Sequence, residues 1–399
     1  MRSTPPTTSP APVLPHPTEA RPDSRDDDAI EVLLGCMPSL AGNTKILVVD
    51  DPAGRLEDEL GGRGALATPW RRVATGKRKA TAWPAPGPYA AATLRMPRSK
   101  EVLDFALEAI GAQLEPGAPV WIYGANDEGI KSVGKRLEAR WEAVVTVEAR
   151  KHCRVWEARR PAAWPNPRDL ASFARTETLP LPWGALEHVV YPGVFAKGGL
   201  DEATALLLEA LPEPEPTAHV LDFACGPGTI AAALKLRQPG LSLQLLDADA
   251  LAVTAARANL PGTLVACGDS WGALPAYQRY DLIVSNPPIH QGKARDYTVI
   301  TRLVEGAPAR LLPKGCLVLV VQAQVPAAAL LNEHFDLVEL IAEDGRFKVW
   351  RAGRLRDRYP TVSDPAEDEA VVPRRQGRRA AEREAAKLAA RGRPKPTRR

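Results

Sequence analysis

The sequence predicts an α/β protein whose second half forms a mostly parallel sheet covered by helices on both faces. Three observations carry that expectation. From Asp201 onward, short apolar strands alternate with helix-length segments. Two of those strands run into loops of distinctive chemistry: Asp222-Phe223-Ala224-Cys225-Gly226-Pro227-Gly228 at one, Ser285-Asn286-Pro287-Pro288 at the other. Finally, 399 residues with 45% hydrophobic content are enough for two ordinary domains.

Residues 1–28, rich in Pro, Thr, Ser and Asp, read as a disordered lead without an apolar signal core. A first α/β region is expected over 29–165. It holds a strand at Lys45–Asp50, a helix at Glu101–Leu114 with Val102, Phe105, Ala106 and Ile110 at helical spacing, a strand at Val120–Gly124 and a helix from Ile130. Residues 166–184, within a stretch rich in Pro and Arg, read as a linker.

The second region, 185–357, is read as helix Asp201–Leu211, strand Val220–Phe223, helix Gly228–Leu236, strand Leu243–Leu246 and helix Ala250–Leu260. Strands Thr263–Ala266 and Asp281–Ser285, helix Thr298–Leu312 and strand Cys316–Val321 follow. A closing pair, Leu337–Ala342 and Phe347–Arg351, turns through Glu343-Asp344-Gly345-Arg346 and suggests one antiparallel edge strand. Ligands of such a sheet sit beyond the carboxyl ends of its strands.

Charge is unevenly placed. From Val371 to Arg399 there are nine Arg and two Lys against two Glu, a net +9 within a chain of net +4, so the preceding 370 residues carry −5. Residues 358–399 therefore read as a basic, disordered tail suited to polyanions, an affinity element without sequence choice. Five cysteines (Cys36, Cys153, Cys225, Cys267, Cys316) form no CxxC pair and read as reduced residues of a cytoplasmic protein. No apolar run approaches the roughly 20 residues that span a bilayer. No His, Cys or carboxylate cluster has metal-ligand spacing, and no GxSxG, Walker loop or HExxH occurs.

The chemistry concentrates in four places. Gly226 and Gly228 let a ligand approach the backbone, and a helix starting near Gly228 aims free N–H groups at it. Asp222 either accepts from a ligand ammonium or orders the turn. The third glycine of a dinucleotide fingerprint is replaced by Ala231. Asp247, closing the next strand, is placed to accept from both hydroxyls of a ribose or to cap a helix, with Asp249 the better cap. Asp269 either accepts from an adenine amine, with Trp271 nearby, or is a solvated loop acid.

At Asn286-Pro287-Pro288 two prolines stiffen the strand exit and keep the Pro287 carbonyl out of any ladder. The Asn286 amide oxygen and that carbonyl can both accept from one –NH₂ group. Such acceptors draw a conjugated amine toward tetrahedral geometry and align its lone pair with an electrophile, without a strong base. His290 reads as a loop histidine that packs, binds phosphate or relays a proton.

These residues resemble a class I S-adenosylmethionine-dependent methyltransferase, and more narrowly the bacterial rRNA guanine-N2 methyltransferases with a "methyltransferase small" domain. Four segments carry the resemblance over about residues 185–352. They are Tyr191-Pro192-Gly193-Val194-Phe195 with Gly199-Leu200-Asp201, then Asp222 to Gly228, then Ser285 to Pro288 with His290 and Gly292, and finally Gly345-Arg346-Phe347-Lys348-Val349.

The resemblance implies two tandem Rossmann-like methyltransferase folds, the second with a seven-stranded, mostly parallel sheet. It implies S-adenosyl-L-methionine contacts at Phe195, Asp222, Ala224, Gly226, Gly228, Asp247, Asp269 and Asn286. Catalysis would fall to Asn286, Pro287 and Pro288, and substrate contact to Ile289 and His290. Ile289 departs from the family, which usually has an aromatic there to stack on the base. The first half would be a decayed copy, with Tyr123–Gly129 where a glycine turn would be, and Asn166-Pro167 only a chance echo. The implied partner is rRNA or a ribosomal subunit. The same chemistry also suits adenine N6 or a protein glutamine amide, and a decayed pocket would leave an RNA-binding assembly factor.

Overall fold

The computed structural model describes residues 24–353, except 165, 182, 195–199, 289 and 292–294. The first half runs α1 (Ser24–Cys36), β1 (Lys45–Val49), α2 (Arg55–Gly62), β2 (Leu66–Trp70), β3 (Ala91–Arg95), α3 (Lys100–Gln113), β4 (Pro119–Ala125), α4 (Val133–Leu137), β5 (Glu142–Arg150) and β6 (Cys153–Arg159). Its six-stranded sheet has the order β2-β1-β3-β4-β6-β5. The first four strands are parallel, and β6 is antiparallel to both neighbours.

Residues 24–28, expected within a disordered lead, form the first turns of α1. Asp26 and Asp27 suit the positive end of a helix dipole, and Asp26 pairs with Arg95 at 2.6 Å. Ala29, Ile30, Val32 and Leu33 then bury their side chains. The helix expected from Ile130 is broken into a 3₁₀ turn, Ile130–Ser132, and the short α4.

The stretch 166–184, expected as a linker, holds a 3₁₀ turn at Ala171–Phe173 and β7 (Arg175–Leu181), which pairs antiparallel with β8 (Gly184–Val190). Apolar Leu179 and Leu181, at alternate positions, are buried on one face.

The second half continues with α5 (Glu202–Ala210), β9 (His219–Phe223), α6 (Thr229–Arg237), β10 (Ser242–Asp247), α7 (Ala250–Asn259), β11 (Leu264–Cys267), β12 (Tyr280–Ser285), the two-residue strands β13 (His290–Gln291) and β14 (Arg295–Asp296), α8 (Thr298–Gly306), β15 (Leu311–Gln322), α9 (Ala327–His334), β16 (Leu337–Glu343) and β17 (Phe347–Gly353). Its sheet has seven strands in the order β11-β10-β9-β12-β15-β17-β16. Val220, Leu221, Ile283, Val284 and the run Leu317–Val320 are 0% exposed, as expected where helices cover both faces of parallel strands.

The antiparallel strand is not at the edge. β17 inserts between β15 and β16, antiparallel to both, so the edge strand β16 runs with the rest of the sheet. The physical reason is burial: β17 brings Val349 and Ala352 into the core, whereas Leu337 and Leu340 of β16 stay 50% and 42% exposed. The helix expected over Thr298–Leu312 ends at Gly306. A 3₁₀ turn containing Pro308 replaces its last turn, and Leu311 is already paired with Tyr280.

The two sheets share one plan, and it moves the decayed glycine turn. Matched from the hairpin end, β4 corresponds to β15 and β1 to β9. The residue after β1, Asp50, has φ 55, as Ala224 after β9 has φ 56. Four residues on in each case, Gly54 (φ 72) and Gly228 (φ 83) are the left-handed N-caps of α2 and α6. The decayed turn is therefore Asp50–Gly54, not Tyr123–Gly129.

In register, Val48 lies opposite Thr93 as Asp222 lies opposite Val284, so Arg95 falls where Asn286 stands. Arg95 is a donor locked to Asp26 and Glu128, so it accepts nothing. No described helix is long and apolar enough to cross a membrane.

Candidate active site

The sheet makes neighbours of the two loops that the sequence separates. β9 and β12 pair in parallel, and the Ser285 hydroxyl donates to the Phe223 carbonyl, 62 residues away, at 2.6 Å. Both loops thus leave the same carboxyl edge side by side, where ligands of parallel sheets bind.

The glycine turn is a run of left-handed residues: Ala224 at φ 56, Gly226 at φ 55 and Gly228 at φ 83. An L-residue such as Ala224 in this region costs roughly 1–2 kcal/mol, which the surrounding bonds must hold. The Cys225 N–H donates to the Leu246 carbonyl at 3.0 Å and the Gly228 N–H to the Cys225 carbonyl at 2.9 Å. Among the described residues nothing lies within 4 Å of where a side chain would begin at Gly226, so they leave that face of the turn clear.

Asp222 holds the first turn of the helix that follows, its Oδ2 accepting from the Ala231 N–H of α6 at 3.1 Å. Its Oδ1 is buried without a hydrogen-bond partner among the described residues. Burial pushes the Asp222 carboxyl up to about 8. A cationic donor beside it would restore the ionised form.

Asp247 binds the glycine turn itself. Its Oδ2 accepts from the Gly226 N–H at 2.7 Å and its Oδ1 from the Asp249 N–H at 2.8 Å. Burial raises it to about 6. Each oxygen keeps a second lone pair for a hydroxyl donor.

Asp249 is the cap of α7, accepting from the Leu251 N–H at 2.9 Å, and it is gripped by Arg72 of the first half. Asp269 is no solvated loop acid. Its Oδ2 accepts from the Gly76 N–H at 2.9 Å and pairs with Arg302 at 3.0 Å. Trp271 packs on Phe223 with ring centroids 4.9 Å apart and donates to the Arg302 carbonyl at 2.7 Å.

At the β12 exit, Asn286 is half-buried, Pro287 buried and Pro288 exposed. The Asn286 Nδ2 donates to Asp201 Oδ2 and Thr204 Oγ1, both at 3.0 Å. Both contacts accept, which fixes the amide with Oδ1 turned away as an acceptor. Asp201 is the N-cap of α5, with Oδ2 also accepting from the Thr204 N–H at 3.0 Å.

His290 lies in the β13–β14 ladder, its backbone opposite Asp296. Its side chain, Phe195 and Ile289 lie outside the described residues, as does the basic tail. Among the described residues no group of His, Cys, Asp and Glu could hold a metal ion.

Several contacts here gave no sign in the sequence. Asp201 reads locally as a helix cap, but its reach to Asn286 spans 85 positions. Asn259, the last residue of α7, accepts from the Val189 N–H at 2.6 Å and donates to the Val189 and Pro227 carbonyls at 2.9 Å each, clamping β8 to the glycine turn. His188 on β8, 0% exposed, has its Nε2 3.1 Å from the Thr229 hydroxyl, and burial lowers it to about 4. A single helix-terminal Asn or strand His carries no periodicity that would single it out.

The sequence matches two family models: "Methyltransferase small domain" over residues 186–351 and "Methyltransferase small domain N-terminal" over 68–176. Among curated relatives, the ribosomal RNA small subunit methyltransferase C of Pseudomonas aeruginosa (strain LESB58) is 37% identical over 273 residues, which are 67% of this chain and 80% of that protein. That of Stutzerimonas stutzeri (strain A1501) is 35% identical over 344 residues, 82% of this chain and 99% of that one. Among solved structures, the Thermus thermophilus 16S rRNA N2 G1207 methyltransferase, in complex with AdoMet and guanosine, shares the fold. Its TM-score is 0.74 at 24% identity, over 86% of this chain and 97% of that one. The chain therefore belongs to the ribosomal RNA small subunit methyltransferase C family.

Proposed function

We propose that this protein transfers the methyl group of S-adenosyl-L-methionine to the exocyclic N2 amine of a guanine in small-subunit rRNA. Family membership supports the reaction and the RNA class, and one observation carries the chemistry. The Asn286 amide, held by Asp201 and Thr204, presents its oxygen at the exit of the strand beside the glycine turn.

The cofactor would lie over the turn. Gly226 and Gly228 would admit it to the backbone, Ala224 would flank it and Asp222 Oδ1 would balance its ammonium, with Phe195 a further contact on the strength of the family resemblance alone. Asp247 would receive the ribose hydroxyls and Asp269 the adenine amine. The clear face at Gly226 and the unpartnered buried oxygen of Asp222 fit such a group. Bound S-adenosylmethionine supplies a methyl group activated by its sulfonium.

The guanine amine is a weak nucleophile, with its lone pair delocalised into the ring. Asn286 Oδ1 and the Pro287 carbonyl accept its two N–H bonds and turn the lone pair toward the methyl. Pro288 stiffens the loop, and Asn286 thereby also borders the cofactor. The N–C bond forms as the C–S bond breaks, and the surplus proton leaves the amine to water. Ile289 offers the extruded base an apolar face and His290 a polar contact. The basic tail adds phosphate contacts, and the protein works in the cytoplasm, where its substrate is made.

The test is methyl transfer from tritiated cofactor to 16S rRNA and small subunits, with digestion to nucleosides. Label should appear as N2-methylguanosine. Label confined to protein, or recovered as methyladenosine, overturns the proposal.

A further inference from the structure

The loop that follows β2 in the first half, residues 71–81, is engaged on two sides. On one it fills the decayed turn of its own half. The Arg71 Nε donates to the Asp51 carbonyl at 2.8 Å and its Nη2 pairs with Glu57. A side chain at Gly54 would collide with the Arg78 guanidinium, which lies 3.5 Å from Glu57. The first half thus has arginines where the second has a clear turn.

On its other side the same loop meets the second half at two carboxylates that follow consecutive strands. The Arg72 Nε donates to both oxygens of Asp249 at 2.9 Å and its Nη2 to Oδ2 at 2.5 Å. Arg72 also donates to the Pro192 and Gly193 carbonyls, at 3.2 and 2.8 Å. The backbone bridges there as well, with Val73 opposite Asp249, Ala74 N–H donating to the Ala248 carbonyl at 2.8 Å and Ala250 N–H to the Arg72 carbonyl at 2.9 Å. Next along the loop, the Gly76 N–H donates to Asp269 Oδ2 at 2.9 Å.

We propose that residues 72–76 of the first half form a wall of the adenosyl pocket, with Arg72 positioning Asp247 through Asp249, so that the pocket is complete only when both halves meet. This rests on the reading that the β9–β12 site takes S-adenosylmethionine. The Asp249 N–H holds Asp247 Oδ1 at 2.8 Å, and Arg72 holds Asp249 and the loop leading to Phe195. Without the guanidinium, an uncompensated Asp249 charge beside Asp247 opposes ionisation of the carboxylate that meets the ribose. A bidentate arginine also fixes direction in a way a lysine does not.

The test is calorimetry of the full chain with S-adenosylhomocysteine. Wild type should bind and Asp247→Ala should not, and a wild type that fails to bind sinks the site reading itself. Given that binding, Arg72→Ala should raise Kd at least tenfold, and Arg72→Lys should recover part of the loss. A Kd for Arg72→Ala within twofold of wild type overturns the wall. Hydrogen exchange on the wild-type chain reads the same idea without a variant. Saturating ligand should slow amides 72–76 along with 222–231. Slowing confined to 222–231 overturns the proposal, and slowing in neither overturns the site reading.

Discussion

Asn286 depends on two side chains that the sequence places far from it, and this sets its expected phenotype. Asn286→Ala should lower turnover by about 10²–10³-fold, the scale of losing one aligned acceptor or donor in a preorganised site, while S-adenosylhomocysteine affinity stays near wild type. Thr204→Val removes one partner of the Asn286 amide and keeps the shape. Turnover should fall about tenfold, since one misoriented hydrogen bond is worth about 1–1.5 kcal/mol. An unchanged single-turnover rate would show that the amide needs no such holding.

Asp222 gives a second expectation at this scale. Its carboxyl is raised from 3.8 to about 8, so between those values the fold holds a proton that the unfolded chain has released. Stability contributed by this group is complete below 3.8 and is lost as pH rises through 8. Asp50 and Asp247, raised to about 6, act in the same direction at lower pH. His188, lowered from 6.5 to about 4, acts oppositely across that interval. Between pH 6.5 and 8 the Asp222 contribution remains, so the melting temperature of ligand-free protein should fall there. Asp222→Asn should flatten that slope, as thermal melts at a series of pH values will show.

Among the elements, the β7–β8 hairpin and α7 meet at Asn259, whose three hydrogen bonds tie β8 to the glycine turn. Asn259→Ala leaves both Val189 backbone groups without it and should cost about 1–3 kcal/mol in urea unfolding. It should also weaken cofactor binding by loosening Pro227, and an unaltered Kd would reduce Asn259 to a structural clamp. Most strands of the second half were legible because alternation and apolar runs are local signals. β7 was not, because Pro180 and flanking charged residues mask its pattern. The order of β16 and β17 was not legible either: both strands suit a hairpin, and the inner place goes to the one that buries Val349 and Ala352.

For the whole molecule, the described body and the basic tail should make separable contributions. A chain ending at residue 357 should bind S-adenosylhomocysteine as wild type does. It should bind 16S rRNA more weakly, with a shallower dependence of log K on log salt, because a chain that neutralises fewer phosphates releases fewer counterions. Equal salt slopes for the two chains would remove the tail from RNA binding. The two halves differ in kind: the first carries arginines at its decayed turn and at the Asn286 position, whereas the second has a clear turn and an acceptor.

The sequence alone determined the α/β class, the two regions and the loops that hold Asp222, Gly226, Gly228 and Asn286, because strand, turn and helix signals lie within a few residues of one another. Tertiary structure decided what those residues touch. It set Asp201 and Thr204 on Asn286, moved the decayed turn to Asp50–Gly54, and brought Arg72 and Gly76 to Asp249 and Asp269, 177 and 193 positions away. Such pairings depend on the packing of elements far apart in the chain, within the second half for Asn286 and between the halves for Arg72 and Gly76, which leaves no periodicity in the sequence.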